Sequence, residues 1–280
     1  MASIGFLTPY KHLPKFKEYV ESNFKCINLN KINKKDIRIF KGIDYLFAAP
    51  NYLNFILENK DIEGTNIKGI ITPSTGTNHI NIESVPLYSI KNDTVLETIT
   101  STAEHNLYLM LAITRQVDSI QELSKMTLGI LGYGRLGKLI YKICKNIFKK
   151  VLVSDIDHTD KNFFKDTDFL SINIDLRDKN LDFVDKKYID KFDKNIFIIN
   201  TARGEVINEN DVLDYIYSGK ILGYATDVLK EEHTNIATNL KVTNHPRIIK
   251  TSHIGGTAIQ AQEVAYKHVM SKLNEEERLR

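Results

Sequence analysis

The sequence predicts an α/β protein built from two doubly wound parallel-sheet domains, Rossmann-like or flavodoxin-like, and three observations carry that prediction. Thr127 to Asp155 reads as strand, glycine-rich turn, amphipathic helix, strand and acid in one continuous unit. Short apolar runs alternate with helix-like stretches on both sides of that unit. A full βα alternation is complete before the glycine turn begins, so the first stretch forms a domain distinct from the second. The boundaries expected are 1–97, completed by a C-terminal helix over 257–280, and 98–256.

In the first domain, Ser3 to Leu7 predicts a strand, Leu13 to Ser22 a helix and Asp44 to Pro50 the end of another strand. Ile67 to Thr72 is the last strong parallel strand of this part. It runs into Pro73-Ser74-Thr75-Gly76-Thr77-Asn78, a loop of small residues at the carboxyl end of a strand, where open α/β sheets bind ligands. Backbone N–H groups at Thr75 and Gly76 can hold a carboxylate there; a plain turn fits the residues equally well. Thr98 to about Val117 predicts a helix connecting the two sheets, with Ala103, Leu107, Met110, Leu111 and Thr114 on its apolar stripe. His105 within it reads as a structural histidine.

The second domain opens on Thr127 to Leu131, apolar enough for a strand buried on both faces. Gly132, Gly134 and Gly137 follow as G-x-G-x-x-G. The first glycine permits the tight turn, the second lets the backbone approach a pyrophosphate, and the third lets helix and strand pack closely. The residues Gly132, Tyr133, Gly134, Arg135, Leu136 and Gly137 thus form a dinucleotide cradle at the positive end of a helix. Asp155 stands 18 positions after Gly137 at the end of the next strand. An acid there accepts hydrogen bonds from a ribose 2′-OH and repels a 2′-phosphate, which favours NAD over NADP.

Beyond Asp155 the strand-like runs are Asp168 to Ile174, Asn195 to Asn200, Ile221 to Thr226 and Arg247 to Thr251, with a helix over Asn208 to Ser218. The last helix runs from Thr257 to about Leu273, and the charged tail EEERLR is expected to fray.

Composition narrows the function. A net charge of +3, spread along the chain, gives no reason to expect a nucleic-acid or membrane partner. No apolar run approaches the ~18 residues of a membrane span, and the N-terminus lacks the pattern of a signal peptide. Cys26 and Cys144 make neither a disulfide framework nor a metal spacing; a cytoplasmic, metal-free protein is expected.

Three strand ends carry polar residues that stability does not call for. Thr201-Ala202-Arg203-Gly204 follows one strand, Asp227 the next with Glu232 five positions on, and Ser252-His253 a third. All emerge on the sheet edge that carries the glycine turn, so Arg203, Glu232 and His253 can converge beside a bound nicotinamide. Interconverting a 2-oxo acid and a 2-hydroxy acid needs those types. Arg203 can grip a carboxylate bidentately. His253 can give or take the proton on the carbonyl oxygen, and a carboxylate at Glu232 would favour its charged form and fix its tautomer.

With these residues in view, the chain resembles the D-isomer-specific 2-hydroxyacid dehydrogenases, the family of D-3-phosphoglycerate, D-lactate and D-glycerate dehydrogenases. The resemblance rests on LGILGYGRLG with Asp155, INTARGEVINENDVL, GYATDVLKEE and TSHIGG, and more loosely on STGTNHI and TSTAEHNLYLMLAITR. It covers the chain from about Ile67 onward.

The resemblance implies a catalytic trio of Arg203, Glu232 and His253, with Glu231 as the fallback for the acid. It implies that Ser74, Thr75 and Gly76 bind the substrate carboxylate, that Asp227 sits near the nicotinamide carboxamide, and that Thr102 and Thr201 neighbour the cofactor. It also implies an active site in the cleft between two domains, and a homodimer formed through the cofactor domains. Three departures stand out: Ser252 and Ile174 replace usual prolines, and His233 replaces the proline of a Glu-Pro pair. A catalytically weak dinucleotide sensor of the co-repressor type, on the same fold, is the competing expectation. Formate dehydrogenases share the fold but replace the histidine's glutamate partner, so Glu232 argues against that branch. A phosphorylated substrate would call for cations near Asn51 or the loop after Gly76, where no arginine occurs; a small or neutral side chain is expected.

Overall fold

The computed structural model describes residues 1–31, 42–53, 55–116, 121–232 and 236–279; Val117, His233 and the side chain of Asn51 lie outside the described residues. The chain divides into two compact units, Met1–Ile99 with Thr257–Arg280, and Thr100–Gly256.

The first unit holds β1 (Ser3–Phe6), α1 (Pro14–Asn23), β2 (Lys25–Asn28), β3 (Tyr45–Phe47), β4 (Leu57–Glu58), α2 (Asn59–Ile62), β5 (Gly69–Ile71), β6 (Ile80–Asn81) and β7 (Leu87–Tyr88). Its main sheet has the order β2-β1-β3-β5-β7, parallel throughout. That is a doubly wound order in which the chain steps outward from β1 first one way and then the other. β1, β3 and β5 are buried along their whole length, because both faces are covered: Phe6, Phe16, Phe47 and Tyr266 fill one core, Leu46, Ile70 and Leu57 the other. Each such side chain contributes about 1.5–3 kcal/mol by leaving water. β7 adds an edge strand beyond the expected last strand.

The C-terminal helix, Ile259–Leu279, closes this unit, burying Ala261, Ala265, Val269 and Leu273 at the predicted steps of four. The helix continues through this charged tail to Leu279, and Glu277 accepts a hydrogen bond from the hydroxyl of Tyr45, whose ring is buried in the core.

The second unit contains α3 (Ser101–Gln116), β8 (Thr127–Leu131), α4 (Arg135–Cys144), β9 (Lys150–Asp155), β10 (His158–Thr159), α5 (Phe163–Asp166), β11 (Phe169–Ile172), α6 (Lys186–Ile189), β12 (Ile196–Asn200), α7 (Glu209–Ser218), β13 (Ile221–Thr226), α8 (Asn239–Val242) and β14 (Ile248–Lys250). Its seven strands run in the order β10-β9-β8-β11-β12-β13-β14; only β10 is antiparallel. The order reverses around β8, so the turn after β8 opens where an α/β sheet binds its ligand. Two cores cover the two faces, one around Leu170, Ile198 and Ile216 and one around Met110, Ile130 and Ile199. Asn208 caps α7 by accepting the Asp211 N–H, and Gly219 ends it in the left-handed conformation.

α3 belongs to this second unit rather than bridging two sheets. Its inward arc is Ala103, Asn106, Leu109, Met110, Ile113 and Thr114. Leu111, expected on the stripe, is 44% exposed, while the polar Asn106 is fully buried. Asn106 is accommodated because both ends of its amide are hydrogen-bonded, to Thr201 and Ser171.

Candidate active site

The glycine turn shows why each glycine stands where it does. Gly132 has φ +91°, and a Cβ there would lie 2.8 Å from the carbonyl carbon of Asn173, on the loop leaving β11. A Cβ on Gly137 would strike the carbonyl oxygen of Gly132, so helix α4 closes against the turn only without a side chain. Around Gly134 nothing lies within 4 Å of where a Cβ would be: the backbone there faces open space that a ligand can enter. Arg135 and Leu136, half-buried, open α4 directly behind it.

Asp155 is exposed at the end of β9, and its carboxylate oxygens accept the N–H groups of Tyr133 at 2.9 Å and Ile156 at 2.8 Å. A carboxylate offers about four lone-pair sites, so capacity remains for a ribose diol. The cradle and the acid therefore fit a 2′-hydroxyl dinucleotide.

The loop after β12 carries Arg203. The Asn200 side chain shapes it, accepting the Ala202 N–H at 3.0 Å and donating to the Arg203 carbonyl at 2.9 Å. Burial draws the Arg203 pKa below its ordinary value, while the carboxylates of Glu232 and Glu205 oppose the shift. An arginine remains protonated in proteins, so this is a cation held in a desolvated place. A Cβ on Gly204 would run into the backbone of Leu229 and Lys230, so this glycine lets the Arg203 loop press directly on the segment leading to Glu232.

His253 follows β14, and its Nδ1 lies 2.9 Å from Oε1 of Glu232. Both side chains are partly exposed, 24% and 19%. The acid that meets the histidine is Glu232; Glu231 is exposed and holds a left-handed backbone position, φ +55°. His253 is itself left-handed, φ +53°. Glu232 thus meets His253 directly and acts electrostatically on Arg203, all three following strands at the carboxyl edge of one sheet.

Asp227 is 2% exposed. Oδ1 accepts from the Thr251 hydroxyl at 2.5 Å and from the Ile254 N–H at 2.8 Å; Oδ2 accepts the Gly255 N–H at 2.7 Å. Burial pushes its pKa up, but His105, Thr251 and the two N–H groups together outweigh burial and hold it below the ordinary carboxylate range. Asp227 thus grips the loop that carries His253. Thr201 is buried and accepts from Asn106; Thr102 lies beside Gly255 and Gly256.

His105 is the hydrogen-bonded structural histidine the sequence led one to expect: its Nε2 is 3.0 Å from Thr251 Oγ1 and 3.3 Å from Asp227 Oδ1. Two residues here escaped the sequence reading. Asn106 was hidden by polarity. Glu205, two positions after Arg203, carries a carboxyl pushed above its usual range, first by burial and then by the charges of Glu232 and Glu231, against the pull of its own backbone N–H and of Arg203.

In the first unit, the Ser74 to Gly76 loop is tied to itself and to its strand. Ser74 Oγ donates to the Gly76 carbonyl, and Thr72 Oγ1 lies 3.3 Å from Ser74 Oγ and 3.1 Å from Nε2 of the buried His79.

Residues 95–255 match the family model described as D-isomer specific 2-hydroxyacid dehydrogenase, NAD binding domain. The chain belongs to this family. It is an NAD-dependent oxidoreductase by that membership, with the second unit as its NAD-binding domain. Among curated relatives, the hydroxypyruvate reductase of Thermotoga maritima is 26% identical, over 76% of this chain and 78% of that one. The aromatic 2-oxoacid reductase of Clostridium sporogenes is 25% identical, over 91% and 90%. Among solved structures, the NAD⁺-bound 3-phosphoglycerate dehydrogenase of Entamoeba histolytica superposes with a TM-score of 0.80 at 21% identity, covering 98% of this chain and 94% of that one. This likeness establishes the fold. No helix among the described residues is long and apolar enough to cross a membrane.

Proposed function

We propose that the protein interconverts a D-2-hydroxy acid and its 2-oxo acid, with Arg203 as carboxylate anchor and the His253–Glu232 pair as acid and base. The observation that carries this reading is the 2.9 Å contact between His253 Nδ1 and Glu232 Oε1, with Glu232 also acting electrostatically on the partly buried Arg203. NAD(H), when bound, supplies or accepts the hydride. It is held by the Gly132 to Gly137 turn and Asp155, with Thr102, Thr201 and Asp227 as neighbours. Arg203 fixes the substrate carboxylate through its planar fork. Glu232 holds Nδ1 and so assigns Nε2 to the substrate oxygen, where His253 gives the proton in reduction and takes it in oxidation.

In the first unit, the amides of the Ser74 to Gly76 loop bind carboxylate, which makes that unit the substrate domain. The absence of arginine near Asn51 and after Gly76 favours a small or neutral substrate side chain. The relatives named as reductases of hydroxypyruvate and aromatic 2-oxoacids support the substrate class. The same reading carries a cytoplasmic homodimer.

The test is NADH oxidation with a panel of 2-oxo acids, from glyoxylate and pyruvate through hydroxypyruvate to 3-phosphohydroxypyruvate, beside an NADH-binding titration. Turnover of a panel member supports the dehydrogenase. Tight NADH binding with no turnover across the panel points to a 2-oxo acid outside the panel or to a dinucleotide sensor. His253→Ala is expected to abolish most turnover while NADH still binds.

A further inference from the structure

We propose that helix α3 sets the position of both catalytic loops, with Asn106 as the positioning residue for the Arg203 loop and His105 as the positioning residue for the His253 loop. The inference rests on the reading of Arg203 and His253 as the reacting groups' partners, and adds two residues that act on those groups through hydrogen bonds to their loops.

Consider Asn106 first. It is fully buried, and a buried amide is tolerated only when its donors and acceptor are used. Nδ2 donates to Thr201 Oγ1 at 2.9 Å, and Oδ1 accepts from Ser171 Oγ at 3.2 Å. Thr201 lies two positions before Arg203. Ser171 passes the connection on to Asn173, whose Nδ2 is 3.1 Å from Ser171 Oγ and whose backbone abuts Gly132. One amide therefore ties the helix to the Arg203 loop and to the floor of the glycine turn.

His105 acts on the other loop. Its Nε2 meets Thr251 Oγ1 at 3.0 Å and Asp227 Oδ1 at 3.3 Å. Asp227 in turn holds the N–H groups of Ile254 and Gly255, the two residues after His253. From the same helix, Ser101 Oγ donates to the Gly255 carbonyl at 2.6 Å. His253 sits at φ +53°, a conformation that a non-glycine residue keeps only when its surroundings over-determine it. The grip on residues 254 and 255 from Asp227 on one side and Ser101 on the other is that determination.

Consecutive residues on a helix point about 100° apart, so positions 105 and 106 reach two different loops from one rigid rod. The spacing between guanidinium and imidazole is then fixed by the helix rather than by two independently wandering loops. Misplacement by about 1 Å is enough to cost a hundredfold in rate.

The experiment compares His105→Leu and Asn106→Leu with the conservative His105→Gln, which keeps a donor near Thr251 and Asp227. If α3 positions the loops, His105→Leu lowers kcat for 2-oxo acid reduction roughly tenfold to hundredfold with KM nearly unchanged, and His105→Gln restores most of it. Asn106→Leu instead raises KM for the 2-oxo acid. NADH affinity stays within about threefold of the parent in both His105 variants.

A second readout needs no activity: amide exchange followed by NMR. His105→Leu should speed exchange of the Ile254 and Gly255 amides and leave Ala202 protected, with the reverse for Asn106→Leu. Exchange that is unchanged, or faster everywhere alike, overturns the positioning role. If the parent turns over no 2-oxo acid, the dehydrogenase reading fails, while the exchange pattern still decides whether α3 holds the loops.

Discussion

The carboxylate of Asp155 accepts the backbone N–H of Tyr133 at 2.9 Å, so the acid at the end of β9 is locked onto the glycine turn after β8. The acid is thereby oriented before any ligand arrives. Removing it deletes both a charge-assisted acceptor for the ribose and the repulsion toward a 2′-phosphate. Asp155→Ala is expected to weaken NADH binding by about tenfold to hundredfold, or about 1.4–2.8 kcal/mol, and to weaken NADPH less. Fluorescence titration with both nucleotides checks it; equal losses for the two would remove Asp155 from the discrimination.

Two glycines of the same turn separate stability from binding. A Cβ at position 137 collides with the Gly132 carbonyl, whereas at position 134 it meets nothing within 4 Å. Gly137→Ala is expected to cost about 1–3 kcal/mol of stability by overpacking, visible as a lowered Tm. Gly134→Ala should leave Tm close to the parent and reduce NADH affinity, because the space it fills is the ligand's. Thermal melts beside NADH titrations read both effects.

Glu205 offers a pH-dependent prediction. Its folded carboxyl titrates above the ordinary range, from burial first and then from Glu232 and Glu231. The folded state therefore holds a proton that the unfolded chain gives up. Stability contributed by this site is present at low pH and is lost as pH rises from the ordinary carboxylate range through the raised folded value. Glu205→Gln removes the charge and should raise Tm relative to the parent at about pH 8, with the gain shrinking toward about pH 4.5. A constant difference across that range would show that Glu205 does not titrate this way.

What could be read from the sequence, and what could not, divides by the range of the interaction. Strands β8, β12 and β13 announced themselves because a parallel strand covered on both faces is an unbroken apolar run. The glycines announced themselves through the strand before and the helix after. On α3 the reading failed at one pair: Leu111 was placed inward for its apolarity and Asn106 left out for its polarity, and the structure exchanges them. The partner that makes Asn106 welcome inside is Thr201, 95 positions away, and no local pattern carries that information. The same is true of the terminal EEERLR, whose Glu277 meets Tyr45 from the other end of the chain. Glu205 lay beside Arg203 in sequence, yet its unusual carboxyl depends on Glu232 and on burial, which only the folded loops create.

Asp227 yields the last prediction, and the sign is opposite to that of Glu205. Its two oxygens accept from Thr251, Ile254 and Gly255, and the folded carboxyl titrates below its ordinary value. The stability it contributes is complete above the unfolded carboxylate pKa of about 3.9 and is lost as pH falls through the depressed folded value. In Asp227→Asn the single amide oxygen can replace Oδ1, but the NH₂ group then faces the Gly255 N–H, donor against donor. A buried donor left without an acceptor costs about 1–3 kcal/mol, so the variant should melt several degrees below the parent at neutral pH. Protonating Asp227 in the parent creates the same conflict, since a carboxylic O–H also has one oxygen that no longer simply accepts. The gap in Tm should therefore narrow as both proteins are taken toward about pH 3. Paired melts of parent and variant from neutral to acidic pH measure it, and a gap that stays the same width at every pH would mean that the charge of Asp227 does not hold the His253 loop.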